Sequence, residues 1–108
     1  MLPVAYILII WLHFIADFVL QSDRIAKGKS KSNQMLLEHV AIYSVPFAIL
    51  GIEYAVANAC LHFVVDWFSS RATSYLWQKG ERHWFFVVIG LDQALHLTCL
   101  FVTYEMLA

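Results

Sequence analysis

Charged side chains are scarce in this chain. Of its 108 residues, only 14% are Asp, Glu, Lys or Arg, whereas 61% are hydrophobic. This composition excludes an ordinary soluble domain and favours an integral membrane protein. The seven Lys and Arg residues are confined to two short stretches, at residues 24–31 and 71–82.

Several motifs that would indicate other functions are also missing. The chain has no glycine-rich phosphate loop, no Gly-x-Ser-x-Gly elbow and no recognisable Ser/His/Asp triad, so covalent catalysis is not indicated. The basic stretches contain no stacking aromatic pattern, which argues against nucleic-acid binding. Cys60 and Cys99 fall within apolar segments and are interpreted as small buried residues rather than a disulfide.

The hydrophobic residues form four runs, at positions 2–20, 35–52, 54–69 and 84–107. Each run is near the about 20 residues that a helix needs to cross a bilayer. Because basic loops stay in the cytoplasm, both termini and the turn at Gly51-Ile52-Glu53 are predicted to face the periplasm. We therefore expect one domain over residues 1–108: an all-α, integral membrane, four-helix bundle with four spans in the inner (plasma) membrane.

Histidine and aspartate recur at helical spacing within these runs. His13 precedes Asp17 by four residues, His62 precedes Asp66 by four, and Asp92 precedes His96 by four. On a helix this spacing places both side chains on one face, one turn apart. With His39 they all fall in the cytoplasmic half of the spans or near the midplane, so the sequence predicts a shared metal site formed by His13, Asp17, His39, His62, Asp66, Asp92 and His96.

The two copies of the His-x-x-x-Asp pattern also bear on architecture. Two membrane crossings separate His13 from His62, so the first and third helices would run parallel. This arrangement is compatible with a duplicated helical hairpin, in which the two pairs are related by a pseudo-two-fold axis along the membrane normal. Coincidence explains the repeat equally well, and both interpretations stay open.

Mixed imidazole and carboxylate ligands suit a divalent transition metal. Zinc is the first expectation, manganese or iron(II) are alternatives, and the donor set is large enough for one or two ions. Such a site can hydrolyse a phosphoester or related bond in a lipid or amphiphile at the cytoplasmic membrane face. Asp17 and Glu38 are the candidate catalytic bases because they lie nearest the water of that face.

Three other interpretations use the same residues. A single His/Asp pair in a membrane is commonly an interhelical hydrogen bond, although three pairs and a fourth His favour a metal. Chains of Asp and His also serve as ion or proton pathways. The chain can instead be a non-enzymatic interaction protein with a structural metal. Membrane lipids are the expected partners, a homo-oligomer is left open, and nucleic acid is not expected.

The order of these motifs resembles a known family. The run HFIADFVLQSD at 13–23, a Lys-rich loop, a His early in the next span, HFVVD at 62–66 and GLDQALH at 90–96 are similar to the DUF3307 family of small bacterial and phage membrane proteins. More distantly, they resemble the YdjM-like proteins described as membrane-bound, metal-dependent hydrolases. The resemblance covers almost the whole chain and implies a bacterial inner-membrane protein with a shared His/Asp site.

Overall fold

The structure is a computed structural model that describes residues 4–107, and no β-strand occurs within this range. The all-α prediction is therefore confirmed. Residues 1–3, where the first predicted run begins, and residue 108 lie outside the described part. The helices are α1 (Val4–Phe14), α2 (Asp23–Gly28), α3 (Asn33–Ser44), α4 (Ile52–Gln78) and α5 (Arg82–Leu107).

The first apolar segment changes from an α-helix to a π-helix between His13 and Asp17. After α1 the chain forms a π-helical turn over Ile15–Val19, in which the Leu20 N–H donates to the Ile15 carbonyl five residues earlier, at 2.9 Å. Such π turns are frequent at functional sites because they re-aim a side chain without ending the helix. Here the turn carries the buried Asp17.

Serine caps begin the two helices that follow. Ser22 Oγ accepts from the Ile25 N–H at 3.2 Å and starts α2, and Ser32 Oγ accepts from the Met35 N–H at 3.3 Å and starts α3. A capping hydroxyl satisfies one of the free N–H groups at a helix N-terminus. The first basic stretch is therefore a short helix between two turns rather than a loop throughout.

The predicted hairpin between the second and third segments forms around Gly51. At Val45, one residue before Pro46, α3 changes to a 3-10 helix over Val45–Leu50, as expected where proline removes a backbone donor. Gly51 then adopts φ 129°, which only glycine reaches without strain. Helix α4 begins at the next residue, so the turn is tighter than predicted.

The second basic stretch differs from its prediction as a loop. Helix α4 continues past Ser69 and through Arg71 to Gln78. The Arg71 guanidinium lies over the Trp67 ring, 4.1 Å from its centroid, and Nη1 donates to the Trp67 carbonyl at 3.0 Å. These contacts lie within the helix, so a basic residue does not end it. The chain turns at Gly80, where φ is 75°.

The bundle buries both apolar and polar side chains, and many large hydrophobic side chains are exposed on its outside. Helix α4 packs most extensively on α5 and next on α3. The apolar core, formed chiefly by Ile9, Tyr43, Phe47, Tyr54 and Leu100, lies beside a buried layer of His and Asp side chains. Large hydrophobic side chains such as Phe68, which is 66% exposed, cover the outside. A buried polar layer of this size is the unusual feature of the distribution.

By length and composition, α5 is the one helix in the described range 4–107 that can cross a membrane. The segment Val4–Val19 is apolar but shorter. A single such helix is weak evidence for membrane association.

Candidate metal centre

Five parts of the bundle contribute His and Asp side chains to one buried cluster. His13 comes from α1, Asp17 from the π turn and His39 from α3, while α4 and α5 each contribute a pair. All but one are at most 5% exposed. The exception is Asp92, whose side chain is 12% exposed. We call the set the donor cluster: His13, Asp17, His39, His62, Asp66, Asp92 and His96.

Four atoms of the donor cluster lie close together, and we call them the inner quartet: His39 Nε2, His62 Nε2, Asp17 Oδ1 and Asp66 Oδ2. His39 Nε2 lies 3.1 Å from His62 Nε2, 3.0 Å from Asp17 Oδ1 and 3.5 Å from Asp66 Oδ2. His62 Nε2 lies 3.7 Å from each of the same two carboxylate oxygens. Tetrahedral ligand atoms about 2.0–2.1 Å from zinc lie about 3.3–3.4 Å apart. The five distances bracket this value, and the ligand atoms of Asp17, His39 and His62 all lie within 4.8 Å of one another, so the donor spacing is compatible with a bound ion.

The imidazole protons of the inner quartet are too few for its acceptors. A neutral imidazole has one N–H and one lone pair, so two facing Nε2 atoms and two carboxylate oxygens compete for few protons. In addition, His62 Nδ1 is buried without a hydrogen-bond partner. Buried polar atoms without partners are rare in proteins and call for an explanation. A cation at the centre would accept all four lone pairs.

A second group of donors adjoins the first. Ligand atoms of Asp17, Asp92 and His96 lie within 4.8 Å of one another, as do those of His62, Asp66 and His96. The rings of His62 and His96 are stacked with centroids 3.9 Å apart. His96 Nε2 lies 3.0 Å from Asp92 Oδ1 but makes no well-aligned hydrogen bond. The cluster therefore has donors for one ion or for two adjacent ions.

His13 is near these donors but is engaged elsewhere. Its Nδ1 lies 3.0 Å from the Tyr43 hydroxyl, and its Nε2 lies 2.6 Å from Gln93 Oε1. The distance from Nε2 to Asp17 Oδ2 is 3.9 Å. With both ring nitrogens hydrogen-bonded, His13 is placed to position neighbouring side chains rather than to bind an ion.

Glu38 does not join the cluster. Its Oε2 accepts from Arg24 Nη2 at 2.7 Å, and both side chains are largely exposed. The adjacent His39 points inward while Glu38 points to the surface, because consecutive residues of a helix face different directions.

Two contributors, Lys29 and Ser69, were missed by sequence reasoning, whereas Gln93 was expected to support the site or a helix contact. Lys29 Nζ lies 2.9 Å from Asp66 Oδ2 with its side chain only 16% exposed. Ser69 Oγ donates to Asp92 Oδ1 at 2.5 Å, and Gln93 Nε2 donates to Asp92 Oδ2 at 2.9 Å. Ser69 lies one helical turn after Asp66, so helical spacing carried a signal for it. The position of Lys29 in a basic loop carried none.

The charges of the cluster favour a divalent cation. With neutral imidazoles, the carboxylates of Asp17, Asp66 and Asp92 and the ammonium group of Lys29 leave two uncompensated negative charges in a buried region. Buried charges are costly unless they are paired or coordinate a metal. A divalent ion would balance them.

A polar cleft adjoins the cluster on the side of α2. It has a volume of about 190 Å³, and the three carboxylates and Lys29 line it together with hydroxyl groups of Ser30, Ser69, Ser70, Thr73 and Ser74. The Ser70 residue is 6% exposed and its hydroxyl has no hydrogen-bond partner. The cleft thus gives a polar ligand access to the donor cluster.

Comparison with known proteins adds a family match. The family model described as Protein of unknown function (DUF3307) matches residues 5–108. No curated protein and no solved structure matches the chain.

Proposed function

This chain belongs to the DUF3307 family, and from its donor cluster we propose that it is a membrane-bound, metal-dependent hydrolase. The observation that carries the proposal is the inner quartet, in which His39 Nε2 and His62 Nε2 lie 3.1 Å apart and each lies 3.0–3.7 Å from an oxygen of Asp17 and of Asp66. We expect zinc there, with manganese or iron(II) as alternatives. The likeness of the His/Asp pattern to YdjM-like hydrolases points in the same direction.

The proposed setting is the inner membrane, crossed four times, with both termini periplasmic. The apolar exterior and buried donor cluster support it, because ionisable residues inside a membrane face the bundle interior and mark functional sites. The cluster adjoins the basic stretch that contains Lys29. Since that stretch is expected in the cytoplasm, the cleft would open to the cytoplasmic face.

The proposed reaction is hydrolysis of a phosphoester or related bond in a lipid or amphiphile. A divalent ion supplies Lewis-acid polarisation of the reacting oxygen and activation of water. The carboxylate best placed as general base is Asp92, because it lines the cleft and is outside the inner quartet. Hydrogen bonds from Ser69 and Gln93 orient it. Asp17, predicted as a base, is assigned to the metal. Glu38 pairs with Arg24 at the surface.

Metal analysis of detergent-purified protein tests the ligand assignment. We expect one or two transition-metal ions per chain, lost together with thermal stability in His39→Gln and Asp66→Asn, since metal binding is coupled to folding. The matched controls are His83→Gln and Asp23→Asn, which change the same residue types at exposed positions. Equal metal content in all four variants would refute the assignment.

Turnover tests the assignment of the base. In mixed micelles containing a phospholipid or an alkyl phosphate, Asp92→Asn should retain the metal but lose about 10²-fold or more in rate, as expected for removal of a general base. Metal binding without hydrolysis of any amphiphile tried would instead indicate a structural metal.

A proton pathway is the second candidate. Hydrogen bonds link Tyr43, His13, Gln93, Asp92 and Ser69 in an unbroken series. Such series serve as proton relays in membranes. We place it second because the series ends at Tyr43, within the apolar core that contains Phe47 and Leu100. A proton pathway across the membrane would have to continue through this apolar region. Proton flux into liposomes that is abolished by Asp92→Asn, without hydrolysis, would reverse this order.

A further inference from the structure

Two cavities of opposite character meet at the donor cluster. One is the polar cleft described above. The other, which we call the α4–α5 groove, has a volume of about 330 Å³ and is lined by the apolar side chains of Val64, Phe68, Ala72, Val88, Leu91 and Leu95. Ser69 and Asp92 line both cavities. The Ser69 hydroxyl donates to the Asp92 carboxylate, so the shared boundary is a hydrogen-bonded pair.

Apolar grooves are common on this molecule, and the connection to the cleft distinguishes this one. A comparable groove of about 400 Å³ lies between α3 and α4, lined by residues that include Leu37, Ala59 and Phe63. We call it the α3–α4 groove. It shares Val64 with the α4–α5 groove but no lining residue with the polar cleft. Lipid would cover either groove in a membrane, but only a molecule in the α4–α5 groove would continue into the donor cluster.

With a divalent ion balancing the three carboxylates that also line it, the cleft has the chemistry of a site for an anionic head group. Lys29 contributes an ammonium group, and Ser69, Thr73 and Ser74 contribute hydroxyls. The buried Ser70 hydroxyl has no hydrogen-bond partner and is therefore available to a ligand. An anion with several oxygens, such as a phosphate ester, can accept from Lys29 and Ser70. The hydroxyls of Ser69, Thr73 and Ser74 already donate to protein acceptors and line the cleft with polar oxygens.

We propose that the α4–α5 groove holds the alkyl chain of an anionic amphiphile whose head group lies in the polar cleft. This inference rests on the proposed function for the role of the donor cluster, and it specifies the substrate class. The bond that joins head group and chain would then lie at Ser69 and Asp92, next to the metal ligands. A substrate without a chain would occupy only half of this site.

Photolabelling tests the inference without requiring turnover. The probe is dodecylphosphonate with a diazirine at the end of its chain, whose carbon–phosphorus bond withstands phosphoester hydrolysis. The control probe is dodecanol with the same diazirine. Because α4 lines both grooves, the α5 peptide reports the α4–α5 groove and the α3 peptide reports the α3–α4 groove. On zinc-treated protein in detergent, we expect the phosphonate to label the α5 peptide at least fivefold more than the alcohol does. The α3–α4 groove should be labelled equally by both.

A pair of alanine substitutions locates the chain. Ala72→Phe fills the α4–α5 groove, and Ala59→Phe fills the α3–α4 groove as the matched control; both alanines are half-buried on α4. We expect Ala72→Phe to reduce phosphonate labelling at least fivefold while its metal content is unchanged, and Ala59→Phe to leave that labelling intact.

Two results would overturn the inference. One is equal labelling of both grooves by the phosphonate in the wild-type protein, a comparison that needs no variant to fold. The other is undiminished labelling in Ala72→Phe. Head-group-dependent labelling without hydrolysis of any amphiphile would support the binding mode and count against the proposed reaction, so the two failures are distinguishable.

Discussion

Lys29 places a positive charge against the donor cluster. Its ammonium group lies 2.9 Å from Asp66 Oδ2, an oxygen of the inner quartet, and the carboxylate is 3% exposed. Without a metal, this ion pair compensates a buried charge. With a metal, the ammonium group and the ion compete for the same oxygen. Lys29 therefore links the stability of the metal-free protein to its metal affinity.

The first prediction is that Lys29→Met has opposite effects in the two states. Without metal, loss of the partner of a buried carboxylate should lower the free energy of unfolding by about 2–3 kcal/mol. With metal, loss of the competitor should tighten binding about tenfold, equivalent to about 1.4 kcal/mol. Denaturation in detergent and a zinc titration measure the two quantities.

The matched control for this prediction is Lys27→Met, which removes the same charge from an exposed position in the same stretch. It should change both quantities little, because screened surface charges contribute little. Weaker zinc binding in Lys29→Met than in the wild type would show that Lys29 supports the metal site rather than competing with it.

At the scale of elements, two glycines have opposite conformational roles. Gly80 lies in the turn between α4 and α5 with φ 75°, in the left-handed region that other residues avoid. Gly90 lies within α5, where an added methyl group would meet no atom within 4 Å. The first glycine is required by the backbone, whereas the second weakens a helix.

The second prediction follows from this difference. Gly80→Ala should lower the free energy of unfolding by about 1–2 kcal/mol, the cost of the left-handed conformation for an L-residue. Gly90→Ala should raise it by about 0.5–1 kcal/mol, because alanine favours the helix. Denaturant titration in detergent measures both. Changes of the same sign would contradict the assigned backbone conformations.

The boundaries of elements were predicted unevenly. Gly51 marked the central hairpin correctly because its φ of 129° excludes other residues, a local property. The end of α4 was misplaced because hydropathy falls at Arg71, whereas helical hydrogen bonding continues to Gln78. Hydropathy reports solvent preference, and a helix can leave an apolar region without ending. The π turn over Ile15–Val19 has no Gly or Pro to indicate it.

At the scale of the whole molecule, the four-span arrangement remains a proposal with a direct test. Of the described residues, α5 alone has both the length and the composition for a span. The other segments are short or, like α4, carry the polar residues of the cluster. The polar side chains of the cluster face the interior, and many large hydrophobic side chains are exposed.

The third prediction concerns orientation. A reporter inserted near Lys29 or Lys79 should be cytoplasmic, and one fused after Ala108 should be periplasmic, because the Lys and Arg residues are confined to two stretches. Paired alkaline phosphatase and fluorescent-protein fusions in a bacterial host measure this. The reverse pattern would place the polar cleft on the periplasmic side, and a cytoplasmic reporter at all three positions would refute four spans.

The sequence by itself determined the helical fold, the family, the central hairpin and the residue types of the donor cluster. These depend on composition, spacing and local backbone preference. Only the tertiary structure decided which donors meet: Nε2 of His39 and Nε2 of His62 each lie within 3.7 Å of an oxygen of Asp17 and of Asp66, while His13 binds Tyr43 and Gln93. Helical spacing fixes which side chains share a face, but the rotation of each helix against its neighbours depends on long-range packing. Likewise, Lys29 reaches Asp66 only because the chain folds back on α4.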